Sequence, residues 1–362
     1  MHCQCLRTFG QKLEGEHRPD MTPQGTEVIL RVTAAGVCHT DLHIREGGFD
    51  LGHGRRMNYA DRGMSLPVIA GHEVTGNVEA VGPEAGEIDT TTPYAIYPWS
   101  GCSSCATCAA GNEQLCATPA FMGVHRDGGY ASHIRVPHPR YLFDASGLAP
   151  EIAAPLACSG LTTFAALKKI SETSGKQPPV LIGAGGLGLM CLQLLQAQNL
   201  MMPVVVDIAA DKRAAALEAG AIAAVDPTEA DAVAKVHAAC GGAPLAVIDF
   251  VGAEPTAEFA MNVVGKGGTI IVVGLFGGAA PWPLPMLPLK SVTVRGSYTG
   301  SLTEFGELMA LARQGHIRPI PTRRYPLEAA DDVLNELQEG RIIGRAILEA
   351  DQTSKGPEAA AD

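Results

Sequence analysis

The chain of 362 residues and 37.7 kDa is long enough for two domains. Hydrophobic residues make up 46% and charged residues 18%, so it buries a large core and is not a disordered tail. A formal net charge of −11 argues against nucleic acid or an anionic membrane as main partner, because both need a basic surface. Residues 1–155 are rich in Gly, Pro, Thr and His and carry short β-type runs, such as Val28–Val32 and Thr75–Val81, without a long helical period. After residue 160 the character changes. A strand at Pro179–Ile182 leads through a glycine-rich turn into a helix at Leu187–Ala197. A strand at Val204–Val206, a helix over Lys212–Ala219 and strands near Val247–Phe250 and Thr269–Val273 follow. This alternation predicts a parallel α/β sheet. Helices over Leu302–Arg313 and Leu327–Glu339, a strand at Ala346–Leu348 and a frayed polar tail from Asp351 complete the chain.

Ile270–Leu289 has no charge and is long enough to span a bilayer, but Pro281, Pro283, Pro285 and Pro288 each remove a backbone donor. It reads as a buried strand followed by an extended Pro-rich segment. Trp282, Leu284 and Met286 alternate between those prolines like an exposed edge that needs a partner.

The turn after the first α/β strand is Gly183-Ala184-Gly185-Gly186-Leu187-Gly188. Glycines there let the backbone turn tightly and approach a pyrophosphate, whose charge rests on the N-terminus of the next helix. The pattern alone is weak among 42 glycines, but a strand precedes it, a helix follows, and Asp207 ends the next strand. A carboxylate there accepts hydrogen bonds from a ribose 2′-OH and repels a 2′-phosphate, which favours NAD over NADP. Arg213, further along the helix, weighs the other way, and Asp207 also reads as a helix cap.

Ten cysteines in a long chain without an evident leader do not suggest a disulfide framework, and the expected compartment is the reducing cytoplasm. Cys102, Cys105, Cys108 and Cys116 are spaced to wrap one tetrahedral zinc in a closed, structural site. An iron–sulfur run is the rival, but its last cysteine usually comes three residues on, ahead of a proline; here seven residues intervene and Ala117 follows. Cys38, His72 and Cys158 offer two thiols and an imidazole, a set that leaves a fourth zinc position open for catalysis. Their separation makes that reading weak on spacing alone, since a buried free cysteine also accounts for Cys158.

Taken in order, GVCHTDLH around Cys38, GHE at His72, the Cys102–Cys116 lobe, Cys158 and the GAGGLG turn resemble the zinc-dependent medium-chain alcohol dehydrogenases, especially the bacterial NAD-dependent ones. The resemblance implies a mainly β GroES-like catalytic domain (1–157, with the zinc lobe at 98–118). A Rossmann doubly wound parallel sheet follows at 158–296, with a return to the catalytic domain over 297–350 and a flexible tail at 351–362. It implies two zinc ions per chain, with Cys38, His72 and Cys158 as catalytic ligands and the four-cysteine lobe as structural site. Asp41 would orient the ligand histidine, Glu73 would sit behind the metal, Thr40 would take the alcohol proton, and His43 would pass it to solvent. His39 and Arg345 would meet the pyrophosphate, and Lys212 would assist Asp207. Thr162, Val251, Gly274 and Leu275 would line the nicotinamide approach.

The implied reaction is reversible hydride transfer between a primary or secondary alcohol and NAD, with zinc lowering the pKa of the alcohol. A polyol, sugar or amino-alcohol dehydrogenase and a non-enzymatic NAD-binding zinc protein are the rival readings. Two departures stand out: GEIDTTTPY after Gly86 replaces the usual Gly-Asp turn, and the loop between Arg45 and Leu66 is long. His53, Arg55 and Arg56 on that loop are either contacts for a polar substrate or a solvated tip. Trp99 and Phe121 are pocket-wall candidates or ordinary core. A homo-oligomer is expected, a tetramer before a dimer, with a small alcohol or carbonyl compound as the other partner and neither nucleic acid nor membrane.

Overall fold

The computed structural model describes residues 1–170 and 177–350, so the tail at 351–362 lies outside the described residues. Six strands form a parallel sheet in the order Ala223–Val225, Val204–Val206, Val180–Ile182, Ala246–Asp249, Thr269–Val272, Thr293–Gly296. Its central strands are buried along their length, apolar apart from Asp249, because helices cover both faces, so no position alternates toward water. The strand order reverses between Val180–Ile182 and Ala246–Asp249, and a crevice opens beyond the carboxyl ends of strands at such a point.

A mostly antiparallel sheet carries the other half, in the order Leu142–Asp144, Pro93–Ile96, Glu73–Val81, Val28–Val37, Arg345–Glu349, Thr322–Pro326, with His133–Val136 also paired to Val28–Val37. The end of the chain thus returns to the sheet begun at its start. That register decides what surrounds Cys38. Gly36 lies opposite Glu73 on one side and Ile347 on the other, and Val37 lies opposite Ala346. A Cβ on Gly36 would stand 2.0 Å from Glu73 Oε2, so only glycine leaves room for that carboxylate.

Three local features depart from the expectations. His39–Glu46 is a short helix immediately after Cys38, ended by Gly47 in the left-handed region. Cys158 sits in a π-helical turn, Leu156–Gly160, between Pro150–Pro155 and Leu161–Lys169. The wide turn leaves carbonyls for side chains to take: Trp99 Nε1 donates to Ala157 O, and Ser159 Oγ to Pro155 O, both at 2.9 Å. Finally, the segment after Thr269–Val272 is not extended throughout. Met286–Lys290 is a helical turn, and Trp282 is half-buried, donating to Ala257 O on the helix Glu254–Val263. Leu284 and Leu289 remain exposed beside the edge strand Thr293–Gly296.

Candidate active site

Cys38 occupies the N-cap position of His39–Glu46, where partial positive charge from free amides favours a thiolate. The next turn places His39, Thr40, Asp41 and His43, with Thr40 and His43 on one face. His72 precedes the strand Glu73–Val81, and the π turn supplies Cys158. One ligand atom from each of Cys38, His72 and Cys158 lies within 4.8 Å of the others, and the two sulfurs are 3.9 Å apart.

The electrostatics of this group call for a cation. The hydrogen bond with Cys158 holds the Cys38 thiol well below its ordinary range and pushes Cys158 up, because two thiolates so close and buried repel each other. His72 is fully buried, and neither ring nitrogen has a well-aligned hydrogen bond. Its Nδ1 faces Asp41 Oδ1 at 3.2 Å, so the free Nε2 lone pair is the ligating atom. Asp41 is itself fixed: Oδ2 accepts from Tyr130 Oη at 2.8 Å and Cys38 N at 3.0 Å, and Oδ1 from Gly71 N at 3.3 Å. An orphaned buried imidazole beside two thiols fits a zinc ion with one open position.

Glu73 and Arg345 form a buried pair behind these ligands, 3.1 Å apart. Burial pushes the Glu73 carboxyl up to about 8, against the pull of Arg345. Arg345 also reaches the dinucleotide turn. Its second amino group donates to Val37 O, and a Cβ on Gly186 would lie 3.1 Å from the central carbon of its guanidinium. Burial lowers His39 to about 4, and its ring packs against Phe276 with centroids 5.1 Å apart. Lys212 lies near enough for its charge to contribute to that lowering.

The dinucleotide turn keeps its shape for identifiable reasons. Gly183 has φ +97°, and a Cβ on Gly188 would stand 2.1 Å from Gly183 O, so helix and strand pack in direct contact. A Cβ on Gly185 would meet nothing within 4 Å, and no side chain caps the helix Gly186–Ala197. That bare, open helix end is a cradle for a pyrophosphate. Asp207 accepts from Ala184 N at 2.8 Å and Ala209 N at 2.9 Å, which ties the turn to the end of its strand. Arg213 is occupied by Asp226 and by the carbonyls of Asp207 and Ile208, which removes the obvious partner for a 2′-phosphate.

A cleft runs from the metal-ligand group toward the dinucleotide turn. Cys38, His39, Thr40, His43, Cys158 and Thr162 line it from one half, and Leu187, Gly274 and Leu275 from the other. Thr40 Oγ1 lies 3.8 Å from Cys38 Sγ, and the His43 ring packs on Phe49 at 4.8 Å. Val251 packs beside Gly183 of the dinucleotide turn, and its neighbour Phe250 lines the cleft. The loop arginines Arg55 and Arg56 and His53 stay outside, whereas Phe49 and Tyr59 from the same stretch line the wall. Trp99 is in the wall, with Phe121 edge-on behind it at 5.3 Å. Residue reading missed Ser297, Tyr298 and Thr299. Thr299 is held at φ +43°, and its hydroxyl is buried in the cleft wall without a partner. Only that strain marks it, and the sequence does not show it.

The second cysteine set is self-contained. Cys102, Cys105, Cys108 and Cys116 bring four sulfurs within 4.8 Å, with Cys105–Cys108 at 3.5 Å, and no cysteine forms a disulfide. Four thiols this close fit a closed tetrahedral metal site.

A dinucleotide turn, an open three-ligand group and a closed four-thiol group on this sheet pair describe a metal-binding oxidoreductase. Residues 24–146 match the alcohol dehydrogenase GroES-like domain, and residues 186–314 the zinc-binding dehydrogenase domain. The chain is 35% identical over 349 residues to an NAD-dependent alcohol dehydrogenase of Sulfurisphaera tokodaii, covering 96% of this chain and 99% of that one. It is 30% identical to a D-arabinose 1-dehydrogenase (NADP(+)) of Saccharolobus solfataricus, over 95% of this chain and 96% of that one. Among solved structures, the alcohol dehydrogenase of the archaeon Aeropyrum pernix matches with a TM-score of 0.87 at 30% identity, covering 96% and 100% of the two chains. The chain belongs to the zinc-dependent medium-chain alcohol dehydrogenase family.

Proposed function

We infer that this chain is an NAD-dependent zinc alcohol dehydrogenase, moving hydride reversibly between a primary or secondary alcohol and NAD. The observation that carries the reading is the Cys38/His72/Cys158 group, beside a cleft lined also by Thr40, His43 and Leu187 of the dinucleotide turn. When bound, zinc supplies the Lewis acid and NAD the hydride acceptor. Cys38, His72 and Cys158 hold the metal, Asp41 keeps the imidazole in its Nδ1–H form, and Glu73 with Arg345 closes the site from behind. Thr40 takes the substrate's hydroxyl proton. His43, which burial holds below its ordinary value and therefore neutral at pH 7, accepts it and passes it outward. Gly183 to Gly188 receive the pyrophosphate, with His39 beside them and Asp207 and Lys212 at the adenosine ribose. Thr162, Gly274 and Leu275 position the nicotinamide.

The four-cysteine lobe holds a second, structural zinc, giving two per chain. Aromatic walls from Phe49, Tyr59, Trp99 and Phe276 suit a body poorer in hydroxyls than a sugar. A homo-oligomer forms through the exposed edge strand Thr293–Gly296 and the apolar Leu284 and Leu289 beside it. No helix among the described residues is long and apolar enough to cross a membrane, and ten free cysteines agree with placement in the cytoplasm. The test is NADH formation by zinc-replete protein over aliphatic, aromatic, secondary and polyol alcohols, with NADP as control. Turnover of simple alcohols with NAD is expected. Turnover of polyols alone, or with NADP alone, would reject this reading.

A further inference from the structure

We propose that the seam between the four-cysteine lobe and the antiparallel sheet binds phosphate, as the free ion or a monoester, and that the bound anion ties the lobe to the sheet. The site lies outside the cleft of the dehydrogenase reading, and only its effect on the lobe rests on the structural-zinc reading. A cavity of about 260 Å³ opens there, far more room than a single water needs. Ser100 and Ser103 line it from the lobe. His138 and Arg140 line it from the segment after the strand His133–Val136, and Arg126 from the loop before that strand. None of the lining residues carries a carboxylate.

Bonds on the page hold these groups in place. Arg140 Nη2 donates to Ser103 Oγ at 2.8 Å and meets Glu113 Oε1 at 3.0 Å, and its guanidinium lies over the Tyr141 ring at 4.7 Å. Its Nε and Nη1 have no protein partner among the described residues. Arg140 N donates to His138 Nδ1 at 3.0 Å, so the neutral imidazole carries its hydrogen on Nε2, which no described residue accepts. Arg126 is anchored through its backbone, where its carbonyl accepts from Gly123 N at 2.8 Å. The adjacent acid, Asp127, is committed to Ile69 N at 2.9 Å and Arg18 Nη1 at 2.7 Å, and the Arg126 guanidinium makes neither an ion pair nor a hydrogen bond among the described residues. The Thr26 and Ser100 hydroxyls in the lining are already donated, to Pro137 O and Ala120 O. What remains is two guanidiniums and an imidazole N–H, donors without acceptors. Three such side chains suit the oxygens of a phosphate better than the two of a carboxylate. Arg140 shares its charge with Glu113, so the uncompensated charge is that of Arg126. A ligand touching lobe and sheet together binds only the docked lobe, and by linkage it stabilises that arrangement. The path into the lobe is short, since Glu113 Oε2 accepts from Gly101 N at 2.9 Å, next to Cys102.

The test is calorimetric titration of inorganic phosphate and of phenyl phosphate into the full-length, zinc-replete protein saturated with NADH, which fills the pyrophosphate cradle. Phosphate should bind about tenfold tighter than acetate and weaken as salt screens the charge. Arg126→Gln changes an exposed side chain without a protein partner, and it should weaken phosphate by about tenfold, His138→Gln by a smaller factor. Tighter binding of phenyl phosphate than of the free ion marks a monoester as the occupant, and the reverse marks the free ion. Zinc loss to a chelator is then followed in Cys158→Ala, where the lobe holds the remaining zinc. Phosphate at ten times its Kd should slow that loss by about tenfold, and Arg126→Gln should remove the effect while leaving the phosphate-free rate unchanged. A folded Cys158→Ala protein without zinc would reject the structural-zinc reading, while the calorimetry still decides the site. No binding at roughly 10 mM phosphate, or binding that Arg126→Gln leaves unchanged, would overturn the site. Arg126-dependent binding with no effect on zinc loss would overturn its coupling to the lobe.

Discussion

Cys102, Cys105, Cys108 and Cys116 meet within one loop, whereas Cys38, His72 and Cys158 arrive from a helix cap, the approach to a strand and a π turn. Both groups offer zinc ligands at similar separations, yet they depend on the fold in different ways. The lobe draws all four ligands from one short segment, which leaves no position for a substrate, and Arg140 and Tyr141 brace it through Glu113. The scattered group exists only when both sheets are complete, and it needs Asp41, Glu73, Arg345 and Gly36 to hold it. Damage to the first should be felt as lost stability. Damage to the second should be felt as lost chemistry, in a protein that still folds.

The largest effect is expected at the scattered group. Cys38→Ala should lower kcat/KM for alcohol oxidation on the order of 10⁴-fold, because the Lewis acid is lost with its ligand. Circular dichroism melting should shift little, and a collapse of Tm would show that the group is chiefly structural. Next comes Asp41→Asn, which preserves size but removes the charge facing His72. Losses of about 10- to 100-fold in metal affinity or activity are expected, read by competition with a chelator and by steady-state kinetics.

The proton path gives a pH signature. A neutral His43 accepts the proton, so oxidation should fail as pH drops through its folded pKa, which burial places below the ordinary histidine value of about 6.5. His43→Gln should lower the rate and flatten that acid limb; an unchanged profile would remove His43 from the path. The smallest effect on turnover is expected at the lobe. Cys105→Ala should change kcat of the folded protein by less than about threefold while lowering Tm by roughly 10 °C. Loss of kcat at unchanged Tm would reverse the assignment of the two groups.

The contrast also governs what could be read from the sequence. The lobe was legible because spacing alone fixes which thiols meet. The dinucleotide turn was legible because strand, glycines, helix and Asp207 follow in fixed order. The parallel sheet showed in its apolar runs, although the edge strand Thr293–Gly296, exposed along its length, gave no hydrophobic signal. His39–Glu46 is too short and too polar to announce a helix, and the π turn at Cys158 has no sequence period of its own. The scattered group could be drawn together only through family resemblance, since its contacts come from strand register. The same register explains why Arg345 pairs with Glu73: it precedes Ala346, which lies opposite Val37, and Glu73 lies opposite Gly36 on the other side of that strand. Tyr298 and Thr299 follow an exposed strand and carry no signature at all, yet they line the cleft.

The central claim is that the open group holds the zinc on which turnover depends, separately from the lobe. Metal content and NADH formation, measured together on wild type and Cys158→Ala, test it most directly. Two zinc ions per wild-type chain are predicted, with one retained by a folded, inactive variant. A variant that keeps both zincs, or that holds one and turns over normally, would contradict the account.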